Sequence, residues 1–122
     1  MTDLELMENL LGLRAPCASM KTDIVETDKE IMMYMDMPGI CKKDIKVVLD
    51  KNILTVSAER KALKIEEGKF VVRERHAHTS KRSFRVPVGV KSEDIKAKYD
   101  DGVLVLTITK PEEIQPNNIE ID

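Results

Sequence analysis

A chain of 122 residues supports one packed domain, and neither two cores nor a catalytic domain with a regulatory one. Hydrophobic residues make up 42% and aromatics only 3%, so the core is expected to be aliphatic and the chain ordered. Twenty Lys and Arg against twenty-two Asp and Glu, with few aromatics, exclude the basic, base-stacking profile of a nucleic-acid binder.

No apolar run approaches the roughly 20 residues of a membrane span. The start, Met-Thr-Asp-Leu-Glu, is acidic, unlike a secretory signal. Cys17 and Cys41 form neither a disulfide framework nor a ligand spacing, so a reducing, cytoplasmic location is expected.

Residues 1–21 read as an arm. Thr2 and Glu5 form a T-x-x-E capping box, and Gly12 suits a helix end. Leu4, Met7 and Leu11 recur at helical spacing, widened by Leu6, Leu10 and Leu13. The predicted helix is too short to be stable alone, so it needs a surface to lie on.

From Asp23 the chain reads as strands. Ile31 to Met35 is a buried-type run stopped by Pro38-Gly39, which suits the centre of a type II turn. Ile45, Val47 and Leu49 alternate, as do Leu54, Val56 and Ala58, so 45–49 and 53–59 are expected to pair through Asp50-Lys51-Asn52. A charged loop from Lys61 to Lys69 precedes Phe70 to Arg75 and a segment ending at Arg85, closed by Pro87. A second hairpin, 95–99 with 103–109, turns at Asp100-Asp101-Gly102 and faces Leu104, Leu106 and Ile108 inward. The tail, 112–122, is polar except for Ile114, Ile119 and Ile121. We read no internal repeat. Many short strands with turn signals predict an all-β sandwich over 22–111.

The sequence contains no G-x-S-x-G, P-loop, G-x-G-x-x-G or HExxH motif, so neither an enzyme nor a cofactor is expected. His76 and His78 would share a strand face with Glu74, as a metal edge requires, although two solvated histidines satisfy the same pattern. Cys41 has no identifiable base, and Glu66-Glu67 and Asp100-Asp101 read as solvated loop charges.

Several segments then converge. Met37-Pro-Gly-Ile40, Lys43-Asp-Ile-Lys-Val47, Ile53 to Arg60, Phe84-Arg-Val-Pro87, Asp101-Gly-Val-Leu104 with Lys110-Pro111, and the Ile119-Glu-Ile121 tail lie in one order. From about residue 22 to the end, the chain resembles the α-crystallin domain of small heat-shock proteins, in its plant and bacterial branch. The resemblance implies an immunoglobulin-like β-sandwich with a short helical arm and an extended tail. It also implies an ATP-independent holdase that keeps partly unfolded clients from aggregating until ATP-driven chaperones refold them.

The resemblance further implies a homo-oligomer. Phe70, Val71 and Val72 would form a strand exchanged between protomers, with Arg73 and Arg75 meeting acids across the interface. The alternative is a strand folded back on its own sheet. Arg82 matches a family arginine near the dimer interface. Ile119 and Ile121 would dock into a slot lined by Ile45, Val47, Leu49, Ile95, Ala97 and Tyr99, which would also accept clients. Leu4, Met7, Leu10 and Leu11 would supply the arm's client contacts. The arm departs from the family in being short and without Phe or Trp, and His76-Ala-His78 is a second departure. Seven Met suit adaptable contact, although Met32, Met33 and Met35 are expected in the core. Two other readings share the sandwich: a p23-like co-chaperone adaptor and a structural protein without client rescue.

Overall fold

The computed structural model describes residues 5–6, 20–112 and 119–121. Among these residues, eight antiparallel strands form two sheets: β1 (Glu5–Leu6), β2 (Thr22–Glu26), β3 (Glu30–Asp36), β4 (Ile45–Asp50), β5 (Ile53–Arg60), β6 (His78–Arg85), β7 (Ile95–Asp100) and β8 (Val103–Thr109). One sheet has the order β1-β6-β5-β4 and the other β2-β3-β8-β7. The all-β sandwich read from the sequence is the observed architecture.

Period-two alternation explains which sheet faces meet. On β3, Ile31, Met33 and Met35 are fully buried, and they stand in register with Ile108, Leu106 and Leu104 of β8. Leu54, Val56 and Ala58 of β5 close the core from the other sheet. Phe84, opposite Leu54, is the one fully buried aromatic among the described residues. Met20, Met33, Met35 and Met37 fill what an aromatic-poor sequence leaves open, which suits their unbranched side chains.

Arg82 and Ser80 are polar residues on the inner face of β6. Of these, Arg82 reaches across the sandwich. It stands opposite Val56, and its Nη1 donates to the Met20 carbonyl at 3.1 Å and to the Thr22 hydroxyl at 2.8 Å. Arg82 thereby ties β6 to the start of β2, across the two sheets. Lys110, nearly buried, reaches Glu26 of β2 at 2.8 Å.

Both expected hairpins form. In each, two central residues take positive φ: Lys51 (50°) and Asn52 (67°), then Asp101 (53°) and Gly102 (75°). That is the type I′ geometry whose twist matches the flanking strands. Gly39 has φ 74°, as the third position of a type II turn demands.

Two expectations are corrected. The helix placed on the arm is not found at Glu5–Leu6, which pair with Arg85 and Phe84 of β6. A short helix is marginal alone, whereas the β6 edge offers unpaired backbone groups. Thr2, Leu4, Met7, Leu10, Leu11 and Gly12 lie outside the described residues.

The second correction is an internal repeat. A 3-10 turn, an edge strand, a type I′ turn and an inner strand occur twice, fifty positions apart. Lys42–Asp44 corresponds to Ser92–Asp94, Ile45–Asp50 to Ile95–Asp100, and the strand starting at Ile53 to that starting at Val103. Asp44 N donates to Cys41 O and Asp94 N to Lys91 O, both at 2.9 Å. Gly39 and Gly89 share positive φ, and Ile40 and Val90 share burial.

Candidate functional site: a trough between two edge strands

The repeat places its two equivalent strands at free edges. β4 ends one sheet and β7 ends the other. Between them lie two hollows of about 140 and 220 Å³, which share Val47 and Ala97 and so form one trough. Ile45, Tyr99 and Leu104 line the first, and Leu49, Leu54 and Ile95 the second. All six residues expected to form the slot therefore line it.

Ile45, Val47, Leu49, Ile95 and Tyr99 are half-buried and pack on the core, so the walls are held from behind. Ala97 opens space where its counterpart in β4 is Val47. The Tyr99 hydroxyl lies 2.7 Å from the Met37 carbonyl and 2.8 Å from the Ile40 carbonyl, its potential acceptors. This fixes one wall against the Pro38-Gly39 turn. Lys42 lines the first hollow and Ser92 the second. Sequence reasoning missed these two. Their signal was the repeat itself, because they occupy the same place in its two halves.

Ile119 and Ile121 are 88% and 95% exposed, so this chain's own trough does not cover them.

The second region is the loop between β5 and β6. Residues 61–77 carry no helix or strand and join neither sheet. Val71 is 88% exposed and Val72 is also exposed, while the Arg73 guanidinium sits 4.8 Å from the Phe70 ring centre. Leu63, Phe70, Val72, Arg73, Glu74 and Arg75 line a hollow of about 270 Å³. A fold-back of Phe70–Val72 onto the chain's own sheet is not found, and the outer edge of β2 has no strand beside it among the described residues. Arg82 sits apart from this loop, in the inter-sheet contacts given above.

His78 Nδ1 lies 3.5 Å from the His76 carbonyl. Among the described residues, no group of three or more His, Cys, Asp or Glu could hold a metal ion, and no helix is long and apolar enough to cross a membrane.

Residues 23–122 match the Hsp20/alpha crystallin family. The chain is 40% identical to heat shock protein HSP.16.4 of Streptococcus thermophilus over 74% of its own length and 65% of the relative's. It is 33% identical to small heat shock protein C2 of Rickettsia felis, over 83% and 66% of the two chains. It thus spans a little less than two thirds of these relatives. The crystal structure of a small heat-shock protein from Xylella fastidiosa superposes with a TM-score of 0.65 at 32% identity, covering 84% of this chain and 95% of that one. With sandwich, paired edge strands and family match in agreement, the chain belongs to the Hsp20/alpha crystallin family of small heat-shock proteins.

Proposed function

We propose that this protein is an ATP-independent holdase chaperone of the cytoplasm. It binds partly unfolded clients in the apolar trough between β4 and β7 and keeps them for ATP-driven chaperones. The observation that carries this reading is the trough itself: an aliphatic channel flanked by two strand edges, each able to accept an extended segment. The relatives carry heat-shock names, which supports a chaperone role.

The building block is a dimer made by strand exchange. Phe70–Val72 of one protomer pairs with the open β2 edge of its partner, bringing Arg73 and Arg75 toward the acids of that edge. Exposed valines in a long loop and an uncovered β2 edge support this arrangement. Arg82 backs the same edge from inside, through Thr22.

Dimers join when Ile119 and Ile121 enter a neighbour's trough, with Glu120 facing water. Burying each Ile contributes about 1.5–3 kcal/mol. Ordering the tail opposes this by about 1–2 kcal/mol per residue. Single tails are therefore weak, and assembly rests on several at once. The Xylella fastidiosa relative has a distinct high order structure, in keeping with a homo-oligomer.

Light scattering of a heat-labile client tests the reading. Equimolar chain should suppress aggregation equally with and without ATP. A client that scatters as strongly with the chain as without it contradicts the assignment. Val71→Pro removes a backbone donor from the exchanged strand and should shift the native mass toward monomer. An undiminished dimer in Val71→Pro contradicts this interface.

A further inference from the structure

We propose that the root of the β5–β6 loop is a binding site for a phosphate-type oxyanion. A hollow of about 220 Å³ there is lined by Arg60, Lys61, Ala62, Leu63, Lys64 and Arg75. Four of its six lining residues are cationic and none is acidic. Two carboxylates stand near, and one of them offsets the charge of Lys61. Asp44 pairs with Lys61 at 3.3 Å, and Glu74 lines the adjoining apolar hollow. Lys64 and Arg75 have no ion pair among the described residues.

Arg60 is held in place at one wall of the hollow. Its Nη2 donates to the Pro38 carbonyl at 3.1 Å, which fixes the guanidinium. Its Nε is shut off from solvent and has no hydrogen-bond partner among the described residues. That nitrogen is closed to a ligand, so Arg60 contributes to the hollow the charge of its held guanidinium. A tetrahedral oxyanion fits this donor set. Its charge is met by the Arg60 guanidinium, and Lys64 adds point charge without needing fixed geometry. The bound anion would relieve repulsion among the cations that Asp44 does not offset and tie the loop's root to the Pro38-Gly39 turn through Arg60. The site shares no lining residue with the trough.

The full chain is titrated with inorganic phosphate and, separately, with tripolyphosphate, while sodium chloride holds ionic strength constant. Phosphorus-31 line widths and the melting midpoint are followed. The expected result is saturable broadening and a rise in melting midpoint above the chloride control. Lys64→Gln should weaken the affinity roughly tenfold, as loss of one charged contact does. Arg60→Gln should abolish binding. Lys64 is exposed and has no partner among the described residues, so its variant remains informative if Arg60→Gln does not fold. Tripolyphosphate saturating first assigns the site to a phosphoryl chain, and inorganic phosphate saturating first to the free ion. An effect no larger than chloride's, or one unchanged in Lys64→Gln, overturns the proposal.

Discussion

The two halves of the repeat share a frame and differ in what they do with it. In both, a 3-10 turn delivers an edge strand, and a type I′ turn returns the chain inward as a core strand. The first half lines the trough with Ile45, Val47 and Leu49, and the second with Ile95, Ala97 and Tyr99. The small residue at 97 leaves room for a ligand side chain, and the large one at 99 is locked by its hydroxyl to the neighbouring turn. Outside the trough, β4 exposes Val48 where β7 exposes Lys98. A lysine on an edge discourages indiscriminate strand pairing, so β7 is the guarded wall and β4 the more permissive one. One supersecondary unit, used twice, thus gives a trough with a wide, fixed side and a more apolar outer edge.

The largest expected effect separates the inner strands. Leu106 and its counterpart Val56 are both fully buried. Leu106→Ala should cost about 2–5 kcal/mol by denaturant melting. Val56→Ala deletes less volume and should cost less. Equal losses would mean that the two inner strands do not carry the core in proportion to the volume they fill.

A smaller contrast lies in the turns. Gly102 has φ 75°, and a Cβ there would meet the Pro38 backbone at 3.6 Å, ordinary contact distance. Gly102→Ala should therefore cost about 1–2 kcal/mol through the left-handed backbone alone. Asn52→Gly, at the equivalent position, should change stability by less than about 0.5 kcal/mol. A Gly102→Ala chain as stable as the parent would contradict the turn geometry.

The smallest effect on stability should accompany the clearest effect on binding. Ala97 is exposed in the trough, so Ala97→Leu should leave the melting curve within about 0.5 kcal/mol of the parent. It should also lower client protection in the scattering assay by filling the channel. Undiminished protection by a folded Ala97→Leu chain would place client binding elsewhere.

These contrasts also show what was legible in the sequence. Alternation at 45–49, 54–58 and 104–108 has only one consistent burial, so both hairpins could be read directly, whereas the six trough residues followed from the resemblance to small heat-shock proteins. The arm could not. Leu4, Leu6, Met7 and Leu10 satisfy a helical stripe, while what places Glu5–Leu6 in a strand is the distant β6 edge. Arg82 came to attention only through its match to a family arginine near the dimer interface, and its sequence neighbours do not reveal Met20 and Thr22, distant in the chain and adjacent in space. The repeat escaped notice because its halves agree in backbone and burial more than in residue identity. Val47 faces Ala97, Leu49 matches Tyr99, and Lys51-Asn52 matches Asp101-Gly102. Positive φ at Lys51 follows from hairpin twist, not from a preference of its side chain, whereas Asp101-Gly102 is a pair that type I′ turns favour.

The central claim is that one trough serves both the tail and the client, and native mass spectrometry of the chain with Ile119→Ser and Ile121→Ser tests it most directly. The account predicts that the assembly falls toward the dimer while the circular-dichroism spectrum of the sandwich is unchanged. An assembly of undiminished mass in that double variant would contradict it.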